Sequence, residues 1–264
     1  MKKGFIKKLL MASLSLVLVS TMVGCSSKDA NSSENKDYET VIVGLDNTFV
    51  PMGFVDENNK LVGFDIDLAN EVFKRIGITP QFENIDWSMK EQSLKNKNID
   101  CLWNGYTITE ERKKKVEFTK PYLDNKQIVV TMATEPFKKI DDLKDQPVGT
   151  QAASSSLETI ENNEEFLALI KGNAPSTYDT FDKVLRDLEI GRIKAVVGDE
   201  VLLNYYMKQR GADKYKTLEG DLGKEQYAVG FRKEDTKLKD KIDKALDEIK
   251  NDGTFEKIKD KWFK

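Results

Sequence analysis

The chain of 264 residues contains no histidine at all. That absence removes His-ligated metal sites, Ser-His-Asp and Cys-His catalysis, and imidazole proton shuttling. Cysteine is almost as scarce: Cys25 and Cys101 are too few for a disulfide framework or a four-cysteine zinc site. There is no basic excess, since 42 Lys and Arg face 45 Asp and Glu, which argues against nucleic acid as a partner. No apolar run is long enough to span a bilayer. The longest, Leu9 to Gly24, falls short of the roughly 20 residues a membrane helix needs. What is present is a globular composition, 39% apolar and 33% charged, over a length that suits two lobes better than one core.

The N-terminus reads as a secretory signal over residues 1–24. Lys2, Lys3, Lys7 and Lys8 form its positive end and the Leu9–Gly24 run its apolar centre. It closes on Met22-Val23-Gly24-Cys25, which resembles a bacterial lipobox, so Cys25 is expected to be acylated on sulfur and to become the new N-terminus. Residues 25–38, rich in Ser, Asn, Lys, Asp and Glu, then serve as a flexible tether. Loss of the four lysines takes the net charge from -3 to -7. So acidic a body is not expected to hug an anionic membrane electrostatically.

Beyond the tether, strands and helices alternate. Thr40 to Leu45 is a β-branched run of the kind buried on both faces, and Ile66, Ala69, Val72, Phe73 and Ile76 recur at the helical period up to Gly77. Further strands are expected at residues 81–85, 100–103, 127–131, 147–150, 195–198 and 226–231. Helices are expected before Gly191 and Gly253. This rhythm predicts an α/β fold with mostly parallel sheets.

Four segments carry candidate chemistry. In Leu61 to Gly77, Asp65 or Asp67 is favoured as a plain helix cap. At Trp103 to Arg112, Thr109 with Glu110 and Glu111 reads as a helix start, and Gly105 permits close backbone approach to a ligand; a solvated arginine is the bland alternative. Gly149 to Ser156 runs from a strand into small hydroxyl residues that open a helix, a place for an anion or an ordinary cap. Ala195 to Asp199 ends a strand in a carboxylate, either a cation holder or another cap.

In this order the segments resemble the solute-binding proteins of bacterial polar amino acid uptake systems. The matching motifs are Gly63-Phe64-Asp65-Ile66-Asp67-Leu68, Thr107-Ile108-Thr109-Glu110-Glu111-Arg112, and a C-terminal end from Asn251-Asp252-Gly253-Thr254-Phe255 to Lys261-Trp262-Phe263. The resemblance implies a two-lobe periplasmic-binding-protein type II fold. Residues 39–124 plus 226–264 would form one lobe and 125–225 the other, with crossings near Tyr122 to Lys126 and Gly223 to Tyr227. It implies that Arg112 forks onto a ligand α-carboxylate assisted by backbone N–H groups of Thr107 and Ser154. Asp199, the Gly105 carbonyl and the Thr107 hydroxyl would hold the ammonium. The ligand side chain would lie against Phe49 and Trp87, with Asp46, Asn104 and Gln151 as polar readers. Two residues depart from the pattern: Phe73 stands where a small residue is usual, implying altered packing, and Ala153 where glycine is common, implying an altered loop path.

The function implied is capture of a free polar amino acid by lobe closure and delivery to an ABC permease. The protein would be a monomer held at the outer face of the cell membrane by its lipid, without cofactor or metal. The five polar and aromatic readers include no Lys or Arg, which disfavours acidic ligands. Desolvation of Asp46 and Asn104 disfavours aliphatic ones. Glutamine or cystine is favoured, then arginine or lysine. An enzyme on the same fold, dehydratase-like and using Asp46 or Glu200, is the alternative. No appended catalytic domain is expected after Phe263, and a receptor ectodomain would need a membrane-spanning continuation.

Overall fold

A computed structural model describes residues 38–264. The signal segment, Cys25 and the tether up to residue 37 lie outside the described residues.

Thr40–Leu45 sits inside a five-stranded sheet, with Thr79–Asn84 on one side and Cys101–Leu102 on the other, both parallel to it. Gly230–Phe231 then adds antiparallel to Cys101–Leu102, and Glu117–Phe118 closes the edge. A second sheet has Val148–Gln151 between Ser176–Tyr178 and Ala195–Asp199, all parallel. Leu123–Met132 and Tyr215–Thr217 continue it in antiparallel fashion. Both sheets are therefore mixed: a parallel core of three strands carries an antiparallel side, where mostly parallel sheets were expected. The antiparallel strands are the segments by which the chain enters and leaves each sheet.

A pair of antiparallel strands of the second sheet makes the connection to the first half. Leu123–Met132 leaves the first half, where Tyr122 N donates to Tyr227 O at 2.9 Å, and ends in the second sheet. Lys224–Tyr227 returns alongside it, with Lys224 opposite Lys126 and Tyr227 opposite Leu123.

The helix Phe64–Ile76 is buried more widely than its single expected face, because helices Thr236–Asn251 and Thr254–Phe263 cover the side away from the sheet. Phe64 meets the rings of Phe255 and Phe263 at 5.7 and 5.1 Å. Phe73 is fully buried with its ring 6.1 Å from that of Trp103, a burial that contributes about 1.5–3 kcal/mol. This is how the bulky residue is accommodated. Gly77 ends the helix in the left-handed conformation, φ 71°.

Neither Asp65 nor Asp67 caps this helix. The cap position is Gly63, without a side-chain bond. Asp65 instead lies buried in the core and accepts from Gly105 N at 2.6 Å and Tyr122 OH at 3.0 Å. Asp67 accepts from Lys261 Nζ at 2.6 Å and Trp262 Nε1 at 2.8 Å, tying the helix to the C-terminal motif.

Candidate functional site

The loops at the ends of the parallel strands face one another between the two sheets, and most of the candidate residues named from the sequence lie there. On the first side, Thr109 Oγ1 accepts from Arg112 N at 3.1 Å and so starts the helix Glu110–Lys115. The cap aims Arg112 inward. Its guanidinium lies 4.6 Å over the Tyr106 ring and donates from Nη1 to Thr107 O at 3.0 Å. Arg112 is only 5% exposed, so it is not a solvated arginine. Among the described residues no carboxylate pairs with it within 4.0 Å.

Gly105 holds φ 54°, and a Cβ there would come within 2.8 Å of the Phe49 ring. Asp65 fixes this loop from behind through the Gly105 N–H. Burial pushes the Asp65 carboxyl up to about 7, against the hydrogen bonds from Gly105 and Tyr122.

On the second side, Ser154 Oγ accepts from Leu157 N at 3.0 Å and donates to Gln151 O at 2.7 Å, capping the helix Ser155–Asn162. Its hydroxyl is thus spent on the cap. Ala153, in the loop before it, holds a left-handed φ of 54°. The glycine-like loop path is kept, at the strain a Cβ brings.

Asp199 ends its strand at a helix cap position but makes no side-chain cap bond. It is buried and accepts from Asn125 Nδ2 at 2.7 Å and Gln127 Nε2 at 2.8 Å. The same two amides donate to Glu225 Oε1, at 2.5 and 2.9 Å. Two carboxylates therefore share neutral donors. Burial first, and the nearby Glu225 charge second, push the Asp199 carboxyl well above the usual range. An ammonium beside the pair would relieve both effects.

The halves meet through polar contacts. Thr107 Oγ1 donates to Ser155 Oγ at 3.1 Å, and Gln127 Nε2 reaches the same oxygen at 3.4 Å. Arg112 and Asp199 thus lie at the two ends of one buried run of hydrogen bonds. Gln151 Nε2 donates to Asp46 Oδ2 and to Asp179 O, each at 2.8 Å. Asp46 also accepts from Thr48 N and Oγ1, at 2.9 and 2.6 Å, and its own N–H donates to Asn104 Oδ1 at 3.1 Å. Asp46 is therefore well partnered, on its own side by Thr48 and across the halves by Gln151. Asn104 Nδ2 is buried and has no hydrogen-bond partner among the described residues.

The two expected rings have different aromatic neighbours. Phe49 meets Phe181 edge-on at 6.1 Å, whereas Trp87 packs edge-on against Tyr106 at 5.9 Å. Lys90 lies beside Trp87, its Nζ 5.2 Å from that ring centre, and donates to Trp87 O at 3.2 Å and across the halves to Ala153 O at 2.8 Å. Lys90 is 3% exposed. A cation does stand beside the expected readers, so acidic ligands are not disfavoured by the lack of one. Glu200, the other acid of the enzyme alternative, follows Asp199 in the chain and pairs with Lys126 at 3.1 Å.

Ser155, Asn125, Gln127, Glu225, Lys90 and Phe181 complete this region, and sequence reasoning did not single them out for it. Of these, Ser155 lay in a flagged serine run, and Asn125 and Glu225 lay within the two expected crossings. Among the described residues no group of three or more Cys, Asp and Glu could hold a metal ion. No described helix is long and apolar enough to cross a membrane.

The family model of the bacterial extracellular solute-binding proteins, family 3, matches residues 41–264. The putative ABC transporter arginine-binding protein 2 of Escherichia coli (strain K12) is 30% identical over 250 residues, covering 94% of this chain and 98% of its own length. The L-cystine-binding protein TcyJ of the same organism is 30% identical over 97% of this chain and 95% of its own. The crystal structure of an ABC uptake transporter substrate binding protein from Streptococcus pneumoniae with bound histidine matches with a TM-score of 0.84 and 39% identity. It covers 85% of this chain and 92% of that one.

Proposed function

The chain belongs to the bacterial extracellular solute-binding proteins, family 3, and from that premise we propose that it captures one free polar amino acid outside the cytoplasm and passes it to an ABC permease. The observation that carries this reading is the pairing of opposite charges in the cleft. Arg112 is buried at one end of a hydrogen-bonded run with no carboxylate partner among the described residues, and Asp199 with Glu225 is gathered around neutral amides at the other. A zwitterion taken out of water needs both its charges matched.

In this reading Arg112 forks onto the α-carboxylate, a geometry that suits guanidinium better than ammonium. The Thr107 and Ser154 N–H groups assist. Asp199, supported by Glu225, holds the ammonium together with the Gly105 carbonyl and the Thr107 hydroxyl. Phe49 and Trp87 flank the side chain, and Asp46, Asn104 and Gln151 read its polar groups. Residues 125–225 close as one lobe onto 39–124 plus 226–264, bending at the paired strands, since ligand contacts made from both lobes favour the closed state. Cys25 carries the lipid, with more than one acyl chain needed for stable anchoring. The molecule works as a monomer and catalyses no reaction.

Glutamine or cystine is the favoured ligand, with arginine or lysine next. Lys90 beside the readers works against a cationic side chain. Relatives named for arginine and cystine support the amino acid class.

A thermal-shift panel of the twenty amino acids plus cystine tests the reading. The largest stabilisation is expected from glutamine or cystine. No response to any amino acid would remove it.

A further inference from the structure

Two charged residues of opposite sign reach from the first half to one loop of the second. Asp46 Oδ2 accepts from the Gln151 amide at 2.8 Å, and Lys90 Nζ donates to the Ala153 carbonyl at 2.8 Å, two residues further along. Both are buried. Each is also held from its own side, Asp46 by Thr48 and Lys90 by the Trp87 carbonyl and by Glu91 at 3.6 Å. They stand ready when the second half is displaced.

Polar groups that satisfy one another across a cleft are the groups a molecule inserted between them must satisfy instead. Under the amino acid reading, on which the role of the remaining pair depends, the α-amino and α-carboxylate ends account for the Thr107–Ser155 contact and for Arg112 and Asp199. Asp46 and Lys90 are left over. A cationic side chain suits Asp46 but sets a second positive charge against Lys90. An amide supplies hydrogen bonds to both and counter-charge to neither. An ammonium and a carboxylate together supply both.

We propose that Asp46 and Lys90 form a second zwitterion subsite, and that the ligand is an amino acid bearing a second ammonium–carboxylate pair across an apolar bridge, with L-cystine as the probe. The edge-on rings of Phe49 and Phe181, 6.1 Å apart, supply the aromatic surface that a disulfide bridge favours. The electrostatics agree: burial and the charge of Arg112 push Lys90 down to about 8, with Lys115 adding to this and Glu91 opposing it. A carboxylate brought beside Lys90 offsets that penalty.

The test is calorimetric titration of the protein with L-cystine and with S-methyl-L-cysteine, which keeps one zwitterion and the sulfur but lacks the second pair. Cystine is expected to bind about tenfold or more tighter. Lys90→Gln and Lys90→Met should each erase most of that difference while leaving S-methyl-L-cysteine affinity within about threefold. Equal binding of the two ligands by the unaltered protein overturns the subsite and leaves the amino acid reading standing. So does a parallel loss of both ligands in the variants, the mark of a purely structural role. If neither these ligands nor glutamine binds, the amino acid reading falls and the subsite with it.

Discussion

Thr107 and Ser155 meet hydroxyl to hydroxyl at 3.1 Å, one from the loop that leads to Arg112 and the other from the first turn of the helix Ser155–Asn162. Ser155 Oγ also takes the Gln127 amide that serves Asp199. One small side chain therefore joins the groups proposed for the two ends of the ligand. Ser155→Ala removes the shared acceptor and should lower amino acid affinity by about tenfold, since a hydrogen bond contributes roughly 1 kcal/mol and leaving buried donors unpaired costs more. Calorimetry with the strongest ligand of the panel checks this, and an unchanged affinity would show the contact to be incidental.

Asp199→Asn should move stability and binding in opposite directions. The carboxyl is held well above its ordinary value by burial and by Glu225. Its stabilising contribution is therefore present below the unfolded value near pH 4 and lost as pH rises toward the folded one. Asparagine keeps an oxygen for Asn125 and Gln127 without the charge. Melting of the ligand-free variant at pH 7 should exceed wild type and converge with it near pH 3, while amino acid affinity at pH 7 falls by about thirtyfold or more. A lower melting temperature with affinity intact would assign Asp199 to the scaffold.

How far the sequence could lead is visible at the same two loops. The helix Phe64–Ile76 and its Gly77 stop are local events, written in a 3.6-residue period and one left-handed residue, and both were legible. The positions of Arg112 and Asp199 at or beyond the ends of strands were legible because each sits in a short motif after an apolar run. Glu225 meets Gln127 across 98 residues and Lys90 meets Ala153 across 63. Such contacts leave no periodic trace, and Lys90 lies among ordinary charged helix positions. Asp65 misled for the opposite reason: an acid near a helix start reads as a cap, yet the tertiary core claimed it for the Gly105 loop.

That buried acid sets a pH dependence. Asp65 is raised to about 7 by burial, so it contributes stability fully present below its unfolded value near 4 and lost as pH climbs through 7. Asp65→Asn, which retains an acceptor for Gly105 N and Tyr122 OH, should flatten this slope. The relative gain at pH 8 should be on the order of a few kcal/mol, and near zero at pH 3.5. Denaturant unfolding of both proteins at several pH values measures it. Parallel curves would place the pH dependence elsewhere.

Ala153→Gly should stabilise the protein by about 1 kcal/mol, because the left-handed φ of 54° strains an alanine and not a glycine. The gain is reduced by the greater freedom glycine has in the unfolded chain. Chemical denaturation reads the difference, and a net loss would mean that the Ala153 methyl group contributes packing worth more than the strain.

The most direct measurement is calorimetric titration of Arg112→Ala with the amino acid that most stabilises the wild-type protein. Loss of the guanidinium leaves a buried α-carboxylate unpaired, at roughly 2–5 kcal/mol. Affinity should therefore fall by about thirtyfold or more while the circular dichroism spectrum and melting temperature of the ligand-free protein stay close to wild type. Near wild-type affinity in a folded Arg112→Ala protein would contradict the assignment of this cleft to an amino acid.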